Sequence, residues 1–180
     1  MKYHRAMLAF SIPFLLIAIA VYAFLQQQSL TSSSMNISSS AFSHNGNIPS
    51  RFTCDGANVS PPLTFSQVPA EAQSLVLIVD DPDAPAKTWV HWIVWNIDPS
   101  SSGVEEGTAP QGVQGTTDFG QTNYGGPCPP SGTHRYFFKL YALDTKLELD
   151  SSATKPDLEA AMESHILTQA ELIGLYEKGD

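Results

Sequence analysis

Two histidines, a tyrosine and two carboxylates stand where apolar runs give way to loops rich in Pro and Gly. Asp81 and Asp83 follow the run Leu75–Val79 on either side of Pro82, His91 lies within Trp89–Ile97, and His134 and Tyr136 are two residues apart. An imidazole donates or accepts a hydrogen bond according to its tautomer, a phenol can donate one, and a carboxylate can fix the tautomer of a nearby ring. Gathered at one end of a sheet, with the backbone of Gly125 and Gly126 free to approach closely, these groups would bind a small polar ligand. Each also has a plainer role: a histidine bonded within the core, an aspartate organising a turn, a tyrosine with its hydroxyl at the rim. Residue pattern alone leaves both readings open.

Catalysis is the less favoured reading. The chain has no G-x-S-x-G turn, and neither Cys54 nor Cys128 has a histidine beside it to activate a thiol. A hydrolase using His91 or His134 as general base would lack a nameable nucleophile and orienting group. Asp81, Asp83, His91 and His134 are chemically competent ligands for several divalent ions, but no metal or cofactor is expected.

Strands must position these residues. Leu75–Val79 is continuously apolar and rich in branched side chains, as in a strand covered on both faces. Trp89–Ile97 reads as a second buried strand; strict alternation puts His91, Ile93 and Trp95 on one face and Val90, Trp92 and Val94 on the other. A third strand, His134–Leu143, turns His134, Tyr136, Phe138 and Leu140 one way. Asn36–Phe42 suits a short edge strand, and 98–130 reads as loops with room for short edge strands. After Pro156, with Thr154 as a cap, Leu158, Met162, Ile166, Ala170 and Ile173 recur at helical spacing, which predicts one bent helix or two short ones. The class is mainly β with short carboxyl-terminal helices.

The first 25 residues stand apart from this domain. Lys2 and Arg5 precede an uncharged run from Ala6 to Leu25, broken only by Ser11 and Pro13. Such a run is long enough to span a bilayer, and its positive flank predicts a single-pass anchor with a cytoplasmic amino terminus. The alternative is a cleaved signal and a secreted or periplasmic domain. Residues 26–34 read as a polar tether and 35–178 as the domain. The chain carries a charge of −9; without Lys2 and Arg5, 7 basic residues face 18 acidic ones, giving −11. So acidic a body is repelled by phosphate backbones, and nucleic acid is not an expected partner. An anionic membrane surface is unattractive to it as well, except through the amino-terminal segment. Cys54 and Cys128 are either separate buried thiols or one disulfide.

Several literal strings occur together and in order. Asp81-Pro82-Asp83-Ala84-Pro85, Trp89-Val90-His91-Trp92 with Asn96, and Gly132-Thr133-His134-Arg135-Tyr136 closely resemble the signature segments of the phosphatidylethanolamine-binding protein family. Phe52-Thr53-Cys54-Asp55-Gly56, Ser60-Pro61-Pro62-Leu63, Tyr124-Gly125-Gly126-Pro127-Cys128-Pro129-Pro130 and Glu163-Ser164-His165-Ile166-Leu167 are similar to its bacterial and archaeal, Raf kinase inhibitor-like branch. The resemblance covers roughly Met35 to Lys178. It implies two antiparallel sheets in a Greek-key sandwich and a pocket for phosphate or phosphoryl head groups. Carried over residue by residue, that pocket is Asp81, Pro85, His91, Pro130, His134 and Tyr136, with Gly126 supplying loop backbone. The resemblance also implies a cis Ala84–Pro85 bond. Asp81 would then hold His91 in its donating tautomer or meet the ammonium of a zwitterionic head group.

The resulting expectation is a non-catalytic binding module for a small anionic or phosphorylated ligand, one that regulates or inhibits a kinase or hydrolase. The alternative is a serine-protease inhibitor acting by protein contact. Two copies could pair through sheet edges.

Overall fold

One eleven-residue strand, Thr133–Leu143, pairs along its whole length with one neighbour and over Phe137–Leu143 with another, and the rest of the fold is arranged around that pairing. The computed structural model describes residues 34–179. In chain order the strands are β1 (Asn36–Ser38), β2 (Gly46–Asn47), β3 (Leu63–Ser66), β4 (Ser74–Asp81), β5 (Trp89–Ile97), β6 (Gly103–Val104), β7 (Val113–Gln114), β8 (Thr133–Leu143) and β9 (Ile166–Glu177), with helix α1 (Lys155–Met162) before the last. They form two sheets, β1-β3-β6 and β2-β9-β8-β4-β5-β7. Pairing is antiparallel except where two-residue β2 runs parallel to β9. The mainly β sandwich expected from the sequence is the fold observed.

All eight residues of β4 are buried, which accounts for its unbroken apolar run. On one face Leu75, Leu77 and Val79 join Trp92, Val94, Phe138 and Leu140 against Ile37, Leu63 and Phe65 of the small sheet. On the other, Val76 and Ile78 join Val90, Ile93 and Trp95 beneath Leu147, Leu158 and Met162. Truncating such a residue, Leu77→Ala for example, would cost about 2–5 kcal/mol. The last two residues of β4 send their carboxylates to different surroundings. Asp80 is wholly buried, with Lys139 Nζ at 2.9 Å and Lys155 Nζ at 2.5 Å, tying β4 to β8 and to α1. Asp81 turns to the site described below.

Two expectations are corrected. The carboxyl-terminal helical pattern holds only for α1, where Leu158 and Met162 are buried and the Asp157 carboxylate accepts bonds from the Thr154 N–H and hydroxyl. From Ile166 the chain is the longest strand, with Leu172, Gly174 and Tyr176 inward. Ile166 and Ala170 are four apart, a spacing that fits both a helical face and alternate positions of a strand. Pairing decides: β9 supplies partners to the whole of β8, whose backbone groups would otherwise be left open. The second correction concerns localisation. Among the described residues no helix is long and apolar enough to cross a membrane. The segment on which the single-pass anchor rested, 1–25, lies outside them, as does the tether apart from Ser34. The single-pass membrane assignment is therefore withdrawn; the cleaved-signal alternative rests on the same segment, outside the described residues.

Candidate functional site

Strict alternation along β5 fails at His91, and this failure builds the site. Pairing with β4 matches Val79 to Trp92 and Asp80 to Val90, so His91 is an extra, unpaired residue at a β-bulge. The phase shifts there: Val90 packs with Ile93 and Trp95, while His91 stands against Tyr136, ring centroids 5.2 Å apart. Its expected place beside Ile93 and Trp95 is thus corrected. The neighbouring loop then clamps the ring. His91 Nδ1 donates to the Gly125 carbonyl at 2.6 Å, and the Gly125 N–H donates to the His91 carbonyl at 3.0 Å. Burial pushes the His91 pKa below its ordinary 6.5; the Gly125 bond and the carboxylates of Asp81, Asp80 and Asp118 oppose that shift without reversing it.

Asp81 holds the other histidine, which corrects the partnership expected with His91. Its Oδ2 lies 2.7 Å from His134 Nδ1, and its Oδ1 accepts the Asp83 N–H at 2.8 Å. That second bond organises the turn after β4 with every described peptide bond trans, so the expected cis Ala84–Pro85 bond is absent. Asp83 faces outward to Arg135, whose Nε and guanidinium nitrogen bind it at 2.9 and 2.7 Å. The Arg135 side chain holds the Asp83 carboxyl at about 2, well below 3.8.

Between these residues lies a cavity of about 340 Å³. Asp81, Pro85, His91, Pro130 and Tyr136 are on its wall, five of the seven ligand residues expected. His134 reaches it only through Asp81. Gly126 is not on the wall; its N–H donates to Asn58 Oδ1 at 2.8 Å, and a Cβ there would sit 2.4 Å from the Phe52 carbonyl oxygen. Its lack of a side chain lets the loop pack on the 52–58 segment. Ala84, Trp89, Phe119, Cys128 and Pro129 complete the wall and escaped the sequence reading. Phe119, 39% exposed, lies edge-on to both Trp89 and His91. Its loop is fixed to β5 by Asp118, whose Oδ2 accepts the Val90 N–H at 2.7 Å.

The loop opposite is stapled. Cys54 and Cys128 are joined in a disulfide, the Cys54 N–H donates to Pro127 O, and the Tyr124 hydroxyl donates to Phe52 O at 2.9 Å. Tyr176, at the end of β9, donates to Asp55 Oδ2. The Tyr136 side chain lines the cavity and its hydroxyl is buried; burial first, then the Asp81 carboxylate, push its pKa up. Among the described residues no three His, Cys, Asp or Glu side chains converge as a metal-binding group.

The model of the phosphatidylethanolamine-binding protein family matches residues 38–177 of this β-sandwich. The chain belongs to this family. It is 58% identical over 151 residues to the UPF0098 protein of Methanothermobacter thermautotrophicus, covering 81% of this chain and 100% of that one. It is 48% identical over 149 residues to the UPF0098 protein of Chlamydia muridarum, with 80% and 99% covered. Among solved structures, a phosphatidylethanolamine-binding protein homologue from Chlamydia trachomatis matches with a TM-score of 0.79 at 47% identity, covering 81% of this chain and 99% of that one. YbcL of E. coli, described as a member of the mammalian family, matches with a TM-score of 0.77 at 32% identity, covering 82% and 100%. None of these relatives is named as an enzyme.

Proposed function

We propose that this chain is a non-catalytic binding module whose pocket takes the phosphoryl or other small acidic group of a ligand. One observation carries the reading: a cavity of about 340 Å³ is walled by Asp81, His91 and Tyr136 among prolines and aromatic rings, room for one small polar group. The surroundings suit binding better than turnover. His91 Nδ1 is committed to Gly125 and Cys128 is in a disulfide, so no free thiol lines the cavity. Regulation of a partner enzyme would follow if occupancy altered the rim at Phe119, whose ring touches His91 and is partly exposed.

The test is an NMR titration of the full chain with inorganic phosphate and phosphoethanolamine, following the imidazole signals of His91 and His134. Saturable shifts that vanish in His91→Ala are expected. An unresponsive spectrum at millimolar ligand would overturn the reading.

A further inference from the structure

The outer face of the large sheet is covered only in part. Leu158 and Met162 of α1 pack over Val76, Ile78 and Trp95, and a groove of about 470 Å³ remains between the end of that helix and the start of β9. Tyr141 and Gln169, opposite one another on β8 and β9, line it with Met162 and Ile166, and Glu159 and Glu163 stand on its helix side. It is separate from the cavity described above. Tyr141 lies five residues along β8 from Tyr136, about 17 Å of strand, and on the other face.

Two features mark this groove. Ile166 and Leu167 are 41% and 39% exposed, and Phe119, at the cavity, is the only other large hydrophobic side chain so open among the described residues. Pairing with β8 uses only the backbone, so the strand itself does not require these two to be apolar. The second feature is charge. Glu159, Glu163 and Glu171 are exposed. Both nearby lysines are committed: Lys139, opposite Glu171, and Lys155 each turn to the buried Asp80. Glu159 keeps a share of Lys155 at 3.4 Å, while Glu163 and Glu171 have no ion-pair partner among the described residues. Burial first, then the carboxylates of Asp80, Glu159 and Glu171, push the Tyr141 hydroxyl up to about 12, so the negative field reaches the groove.

We propose that the groove docks a basic, amphipathic segment of a partner protein, with an apolar side chain on Tyr141, Ile166 and Leu167 and flanking Lys or Arg side chains against Glu163 and Glu171. A second copy of this chain fits poorly. Apart from Lys2 and Arg5, each copy sets 7 basic residues against 18 acidic ones, and the same carboxylates would meet across the contact. A purely polar cation would leave the apolar pair in water, and a nucleic acid is repelled. The interaction does not depend on what fills the cavity.

The experiment is fluorescence anisotropy on the full chain with a labelled short peptide of alternating Lys and Leu, beside one of equal charge with Ser in place of Leu. The Lys–Leu peptide should bind. Glu163→Gln with Glu171→Gln should weaken it about fivefold, the scale of two exposed ion pairs. Leu167→Gln, or Ser for Leu in the peptide, should weaken it about tenfold or more. These side chains are exposed, so the variants keep the fold. Glu105→Gln with Glu106→Gln, the same charge change at exposed positions beside the small sheet, should leave the affinity unchanged. Added salt should weaken the native complex more than that of the Glu163→Gln, Glu171→Gln variant. No binding of the Lys–Leu peptide, or equal losses in the control pair, would overturn the proposal. Self-association seen by sedimentation and abolished by Leu167→Gln would assign the surface to a second copy and overturn it as well.

Discussion

His91 and Gly125 hold one another by two hydrogen bonds, side chain to carbonyl at 2.6 Å and amide to carbonyl at 3.0 Å. The glycine is required on its outer side as well. A Cβ at 125 would stand 2.4 Å from Phe119 Cε2, far inside contact distance. Gly125→Ala should therefore displace either the Phe119 ring or the clamp, at about 1–3 kcal/mol. Phe119 is partly exposed, so Gly125→Ala combined with Phe119→Ala should recover most of that loss. Urea denaturation of the two single variants and the pair would measure the coupling; simple additivity would show that the ring is not the obstacle.

The buried His91 should limit stability in mild acid. Its folded pKa lies below the ordinary 6.5. Unfolding below about pH 6.5 lets the ring take up a proton, so its contribution is complete above that pH and is lost as pH falls through the folded value. Urea midpoints should decline over that window, and His91→Gln should flatten the decline. A variant curve parallel to the native one would assign the effect elsewhere.

Asp83 should act at more acid pH. Its carboxyl is held at about 2 by Arg135, against 3.8. The pair's contribution is present above 3.8 and is lost as pH falls toward 2. Because the pair faces solvent, the effect should be small and should shrink further in high salt. Comparing acid unfolding of Arg135→Gln with the native chain would reveal it; coincident curves would remove the pair from the account.

The disulfide should matter more. Cys54 and Cys128 are 74 residues apart, and closing a loop of that length contributes about 4 kcal/mol in a chain-entropy model, within a usual range of about 2–5. Cys54→Ser with Cys128→Ser should lower the denaturation midpoint accordingly and loosen the Cys128–Pro130 wall of the cavity. Unchanged stability after reduction would mean that the surrounding hydrogen bonds suffice.

Much of this was legible in the chain because strands buried on one or both faces write their period into the sequence. The limits of β5 and all but one residue of β8 could be read from Trp89–Ile97 and His134–Leu143. The phase at His91 could not, since a bulge is a property of two strands and the reading follows one. The tail misled for a related reason: a spacing of four at Ile166 and Ala170 has two meanings until β8 is known to need a partner. The pocket residues on strands and in the Pro-rich strings were within reach. Phe119 was not, because a loop side chain declares itself only when it closes against something distant in sequence. Nor could the sequence say which histidine Asp81 would hold.

Asp80 and Asp81, neighbours in the chain, answer to different partners on opposite sides of one sheet: two lysines below, a histidine above. A slip of β4 by one residue would exchange them. Each carboxylate would then be buried among groups arranged for the other, a penalty of several kcal/mol beyond the lost apolar contacts. The pair thus works as a key cut on both edges, one that turns only when the strand is correctly registered, so that the native alignment of the central strand is favoured by charge as well as by packing.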